Sequence, residues 1–153
     1  MATSTLIQSL DTKDSAGGTI GATVSNRRQI EVFFAGAAIV AGEWVALDLS
    51  KSGATRAVTV VKTPAAAGAV NVIGVALGSA STGEKVSVVV EGYVEGASVV
   101  SGVLQGEGLG TSGATAGRAI KYVPGTHNTL CGMALENAAA GNTAAVLVFK
   151  QAF

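Results

Sequence analysis

His127 and Cys131, four residues apart, are the single histidine and single cysteine of the chain. A thiol next to an imidazole is the arrangement that activates a cysteine nucleophile, so this pair is the first candidate for catalysis. Glu91 and Glu95 are the second, since two carboxylates flanking a bond can serve as acid and base in glycoside hydrolysis. Two glycine runs, Gly17-Gly18-Thr19-Ile20-Gly21 and Gly106-Glu107-Gly108-Leu109-Gly110, look like phosphate-binding loops. Each candidate meets a physical objection. Neither glycine run carries the lysine of a phosphate loop or lies between a strand and a helix, so both read as turns. No aromatic platform for a sugar surrounds the two glutamates. One histidine and one cysteine are too few for a metal site, and no close run of carboxylates offers one to calcium. The chain is expected not to be an enzyme and to need no cofactor.

The objection to Cys131 comes from a pattern that spans most of the chain. The stretch Ile73 to Gly83 returns as Cys131 to Gly141: Gly74, Ala76, Leu77, Ala80, Gly83, Val88 and Val90 meet Gly132, Ala134, Leu135, Ala138, Gly141, Val146 and Val148 at a constant shift of 58 residues. Upstream the shift reads as 60. Gly36-Ala37, Val40, Gly42, Leu49 and Ser52-Gly53-Ala54-Thr55 recur as Gly96-Ala97, Val100, Gly102, Leu109 and Ser112-Gly113-Ala114-Thr115, and the two prolines, Pro64 and Pro124, coincide. The reading is two tandem related β units, about 36–93 and 96–151. Cys131 then stands where the first copy has Ile73, an apolar strand position, and is expected to be a buried structural thiol. Glu91 falls opposite Phe149.

The elements that would position these residues are strands. Gln29 to Phe34, Glu43 to Leu47, Ala57 to Val61, Val86 to Val90 and Ala144 to Phe149 are short β-branched or apolar runs fenced by Gly and polar residues. No segment sustains an i, i+3, i+4 apolar stripe over several turns. The stretches Asp48 to Thr55, Gly78 to Lys85 and Gly106 to Gly117 read as loops. A unit of about 60 residues buries too little surface to stand alone, so the two copies are expected to share a core. The fold class is all-β, a compact barrel or sandwich built from the two units as one β domain over 29–153, behind an extended N-terminal arm over 1–28. Alternation puts Val86, Val88 and Val90 in the core with their copies Ala144, Val146 and Val148. The opposite face becomes apolar at Val89, its copy Leu147 and Phe149, so this strand is either central or covered by a neighbouring subunit. These three are the oligomer-interface candidates. The small residues Gly74, Ala76 and Ala80, repeated at Gly132, Ala134 and Ala138, predict a close approach of backbones.

Composition narrows the function. Charged residues are 13% of the chain, net charge is zero, hydrophobic residues reach 48% and aromatics only 5%. A nucleic-acid binder would be more basic. A weakly charged, apolar surface suits a protein packed against others. Met1 to Lys13 has neither a basic start nor an apolar segment, so no secretory signal is expected. The longest uncharged stretch, Thr63 to Gly83, is too interrupted to span a membrane. A lone cysteine fits synthesis in a reducing cytoplasm. The arm, Met1 to Asn26, scatters Leu6, Ile7 and Leu10 among polar residues, too little for a core, and is expected to order only on a partner. Arg27-Arg28 closes it, either as a solvated pair or as an ion-pair anchor to an acidic neighbour.

The segment "AAIVAGEWVALDLSKSGATRAV", residues 37–58, followed by "VIGVALGSASTGEKVSVVVEGYVEG", residues 72–96, resembles the bacteriophage head decoration, or capsid cement, proteins. These commonly carry a Gly-x-Ala-Leu turn followed by alternating valines, after a hairpin that begins with a phrase like "AGEWVALD". The resemblance is clear from Ala37 to Gly96 and fainter to Phe153. It implies a small β-rich protein on the outer surface of an assembled phage capsid, made in the host cytoplasm and often trimeric. Its implied partner is the major capsid protein of the same phage, with no nucleic acid and no membrane involved. Leu6, Ile7, Leu10, Arg27 and Arg28 are then the capsid-contact candidates. The rival reading is a receptor- or carbohydrate-binding module. Sugar sites favour exposed aromatics, and this chain offers only Trp44, Tyr93 and Tyr122, with Trp44 inside an apolar run and expected in the core.

Overall fold

The computed structural model describes residues 28–65, 71–112 and 114–149. They form nine strands and one helical turn: β1 (Gln29–Ala35), β2 (Trp44–Leu47), α1 (Thr55–Val58), β3 (Thr59–Lys62), β4 (Val72–Ala76), β5 (Lys85–Ser98), β6 (Gly108–Thr111), β7 (Ala119–Lys121), β8 (Gly132–Ala134) and β9 (Thr143–Val148). The strand order β1-β3-β2-β4-β5 closes on itself, because β1 also pairs with β5. That closure makes a five-stranded barrel and removes its free edges. The long β5 then leaves the first barrel and starts a second sheet, β5-β9-β8-β6-β7. Its last strand returns to the end of β5 through a single parallel bridge, Val99 to Ala119. Of the two all-β forms expected from the sequence, barrel or sandwich, the described residues form a closed barrel with further strands.

The strands lie close to where periodicity puts them, with two corrections. Ala57 and Val58 belong to the helical turn α1 rather than to a strand, and β3 begins at Thr59. Gly108 to Gly110, read as a turn, lies in strand β6. The reason is steric. A side chain at Gly108 would meet the Leu130 methyl at 2.8 Å, and one at Gly110 would meet the His127 ring at 2.9 Å. Glycine therefore occurs in this strand because neighbouring side chains lie across it.

The pairings of the first barrel recur in the second sheet. Val75 pairs with Val89 and Ala76 with Val88; 58 residues on, Met133 pairs with Leu147 and Ala134 with Val146. Trp44 pairs with Val75 and Val45 with Gly74, as Gly108 does with Met133 and Leu109 with Gly132. The turns before β2 and β6 also match. The N–H groups of Val40 and Leu104 donate to the Oε2 atoms of Glu43 and Glu107 at 2.8 and 3.0 Å. Gly42 and Gly106 share a left-handed backbone, φ 85° and 83°. Their N–H groups donate to the carbonyls of Ala76 and Ala134, both at 2.8 Å. These turns and strands are related by 64 residues, which takes Gly42 to Gly106, and not by the 60 read from sequence identity.

Two apolar clusters fill the molecule. One is the interior of the first barrel and includes Phe33, Ala35, Ile39, Val45, Val60, Val86, Val88 and Val90. The residues at matching positions in the second sheet, Ala97, Val99, Val103, Leu109, Ala119, Ala144, Val146 and Val148, form the other. This second cluster also takes in four residues from the outer face of the first barrel: Trp44, Val72, Val75 and Val89. The Trp44 indole reaches Gly132, where an added Cβ would lie 3.0 Å from its Cη2 atom. Room for it comes from size differences between matching positions: Phe33, Val60 and Val86 in the first core face Ala97, Ala119 and Ala144 in the second. Burying about 200 Å² of aromatic surface at about 25 cal/mol per Å² is worth roughly 5 kcal/mol. Among the described residues Trp44 Nε1 has no hydrogen-bond partner, which costs about 1–3 kcal/mol. Burial wins.

The small residues at β4 and β8 have the role their repetition suggests. A Cβ at Gly74 would collide with the Val89 carbonyl, and one at Gly132 would lie 2.6 Å from that of Leu147. Gly78 has open space around it. Gly74→Ala is therefore expected to lower unfolding free energy by about 3 kcal/mol or more, while Gly78→Ala stays within about 1 kcal/mol, as read by urea denaturation. Equal small losses at both positions would contradict the close approach of β4 to β5.

Candidate functional site

Of the residues singled out by sequence, Leu6, Ile7, Leu10 and Arg27 lie outside the described residues, as does the rest of the arm up to Asn26. Arg28 is half-buried immediately before β1. Val89 requires a correction. It is fully buried, because β5 is a central strand and the core of the second sheet covers its outer face. Val89 therefore presents no surface to another subunit. Its counterpart Leu147 and the neighbouring Phe149 are half-buried.

The reactive residues are held in ways that explain their positions. Cys131 is 1% exposed, its thiol donates to the Leu109 carbonyl at 3.2 Å, and burial pushes its pKa from 9.0 to about 12. The thiolate needed for nucleophilic attack is thus strongly disfavoured. His127 is buried, with Nδ1 accepting the Val123 N–H at 2.8 Å and its ring 5.8 Å from that of Tyr122. It serves as a clamp on the 122–127 turn. Glu91 and Glu95 are exposed on β5. Among the described residues, no group of three or more His, Cys, Asp or Glu side chains is placed to hold a metal ion. No helix among the described residues is long and apolar enough to cross a membrane. Trp44 is fully buried and cannot be a sugar platform; Tyr93 and Tyr122 are half-buried.

What the surface offers instead is apolar. On β1, alternation sends Phe33 and Ala35 inward and leaves Ile30, Val32 and Phe34 exposed in a row, with Val32 at 59%. Val58 on α1 is also exposed, and α1 touches β1. Both neighbours of β1 are in place, so this stripe offers side chains, not a strand edge. A second exposed set belongs to the other unit: Leu104, Val123 and Leu130. Val40 and Leu104, matching positions in the two units, are 58% and 54% exposed. Each sits on a turn fixed by a glutamate cap. A further bond fixes each turn, from the Ala41 N–H to Ser79 Oγ and from the Gln105 N–H to Asn137 Oδ1. Apolar side chains held on rigid turns lose little entropy on docking.

Charge is sparse and local. The Glu107 carboxyl is held below the usual range first by its hydrogen bond to Lys121, at 2.6 Å, and then by the Leu104 N–H. Asp48 is lowered first by the Ser50 hydroxyl. Asp48 acts on its own turn, and Glu107 also ties its turn to Lys121 of β7. The sequence pointed to the apolar character of β1 but assigned it no face; the alternation of Ile30, Val32 and Phe34 was the available signal.

The Cys131 environment has a measurable consequence. A raised folded pKa means the unfolded chain loses this proton first, so the thiol's contribution is complete below about pH 9.0 and is lost as pH rises towards about 12. The stability difference between the natural chain and Cys131→Ala should shrink as pH rises from about 9 towards about 12. The native protein should also resist thiol reagents until it unfolds. A constant difference, or rapid labelling of the folded chain, would contradict this burial.

No protein-family model matches the chain, and no curated protein matches it. Its fold is similar to a solved structure described as the head fiber gp8.5 N base in bacteriophage phi29. The TM-score is 0.52 with 16% identity, covering 82% of this chain and 98% of that one.

Proposed function

We propose that this chain is a structural protein of a phage virion that binds the outer surface of the assembled capsid and stabilises it. The observation that carries the reading is the fold likeness to the base of a phage head fiber, which extends over 98% of that chain. The sequence resemblance of residues 37–96 to head decoration proteins supports it independently. So does a surface with exposed apolar side chains on fixed turns and a net charge of zero. The partner is the major capsid protein of the same phage, and the protein self-associates, with a trimer favoured. Synthesis takes place in the host cytoplasm. Its body is two tandem β units; the matching registers of β4–β5 and β8–β9 support this.

The energetic logic is linkage. A protein that binds the assembled lattice and not free subunits stabilises the lattice by mass action. An oligomer engaging several lattice sites gains avidity from effective concentration, so each contact can be modest. The arm, with Leu6, Ile7, Leu10, Arg27 and Arg28, makes the capsid contact as an extended segment.

Purified protein mixed with undecorated expanded heads should co-sediment with them and raise their resistance to heat. Deleting Met1 to Asn26 should leave a folded protein that no longer binds. Absence of co-sedimentation would overturn the capsid reading, and unchanged binding after the deletion would remove the arm from it.

A further inference from the structure

The joint between the two units uses a defined pair of surfaces. On the first unit these are the Val40–Glu43 turn and the outward residues Val72, Val75 and Val89 beside Trp44, all four of the latter fully buried against the second unit. On the second unit they include the Glu95–Gly96 bulge of β5, Ser98 and Gly117. A Cβ at Gly42 would meet the Gly96 carbonyl at 2.6 Å, and the Ser98 N–H donates to the Gly42 carbonyl at 2.8 Å. The Trp44 N–H donates to Gly117 at 2.9 Å, and a Cβ at Gly117 would lie 3.0 Å from the Glu43 side chain.

Each surface has a counterpart at the free end of the molecule, and both counterparts are apolar. Val40, Val72, Val75 and Val89 correspond to Leu104, Leu130, Met133 and Leu147 of the second unit. Of these, Leu104 and Leu130 are exposed, Leu130 at 43%, and Met133 and Leu147 are half-buried. The bulge, Ser98 and Gly117 correspond to Val32, Phe34 and Val58 of the first unit, all three exposed. Where the filled joint has Gly and Ser, the unfilled one has Val, Phe and Val. The exposed apolar stripe thus occupies the position that, later in the chain, lies against the Val40–Glu43 turn, where Gly117 is buried, Ser98 half-buried and Gly96 exposed.

We infer that a second copy of this chain docks head to tail, placing its Leu104–Glu107 turn and its Leu130 and Leu147 face on Val32, Phe34 and Val58. The contact repeats the geometry of the joint already present within the chain. It is heterologous, joining two different faces, so successive copies form a ring where the rotation closes and a filament where it does not. Shared geometry with an interface the chain already makes is what selects a second copy as the occupant. The inference does not depend on the capsid reading, because it concerns the protein alone.

The test uses two surface variants of the full chain. Val32→Asp with Phe34→Asp removes one face; Leu104→Asp with Leu130→Asp removes the other. Sedimentation velocity should show the natural protein self-associating with rising concentration and each variant as a monomer with a natural circular dichroism spectrum. An equimolar mixture should form a one-to-one dimer and nothing larger, since each variant keeps the face the other lacks. Should the β1 variant fail to fold, Val58→Lys, on a turn with no buried residue, replaces it. A monomeric natural protein, variants that assemble normally, or a mixture that stays monomeric would each overturn the inference. Dimers formed by either variant alone would also overturn it, since they require a symmetric interface.

Discussion

The packing of Trp44 into the core of the second sheet is the contact on which the molecule depends. Without it the barrel and the second sheet, each burying too little apolar surface for independent stability, would be held together by the continuous strand β5 and a few backbone hydrogen bonds. The indole carries the outer face of the first barrel, through Val72, Val75 and Val89, into the same cluster as Leu109, Val146 and Val148. Its seat is prepared by Gly132, which leaves the ring its space, and by the alanines at 97, 119 and 144. An indole N–H without a partner among the described residues is the cost of that arrangement and is smaller than the gain. The described residues are thus a closed barrel and a second sheet whose apolar cluster takes in the barrel's outer face, and β5 runs through both.

On the function proposed above, the work of such a body is done by its surfaces. The residues with chemical potential are turned to structural ends: Cys131 donates to a strand carbonyl, His127 clamps a turn, and Glu43 and Glu107 cap matching turns. What remains outward is a set of apolar side chains on backbone that is already rigid. A rigid scaffold of this kind suits a protein whose work is to dock onto repeated surfaces, because little ordering entropy is lost at each contact. The same rigidity relates the inner joint to the outer apolar faces, since matching backbone presents matching sites.

Much of the fold was legible in the chain. Alternation located β1, β2 and β9 and the inward valines of β5, and the shift of 58 residues placed Cys131 in the core and explained the glycines at 74 and 132. The upstream half of the correspondence was misread by four residues because Gly, Ala and Val identities are easily found by chance. The better signal was Gly42-Glu43 against Gly106-Glu107, where a left-handed glycine and a capping carboxylate are both required by the turn. Strand β6 was hidden because its glycines answer to side chains distant in sequence, Leu130 and His127. The outward face at Val89 was readable as apolar, but one strand's alternation does not say whether its cover comes from the same chain. Here the second sheet supplies it.

Trp44 is the one tryptophan in the sequence, so its fluorescence reports directly on the joint. Urea unfolding followed in parallel by tryptophan emission and by far-ultraviolet circular dichroism should give superimposable single transitions, because losing the joint removes the core that both units share. A fluorescence change complete well before the loss of β-structure would show that the barrel and the second sheet stand without the indole between them, and would contradict the account.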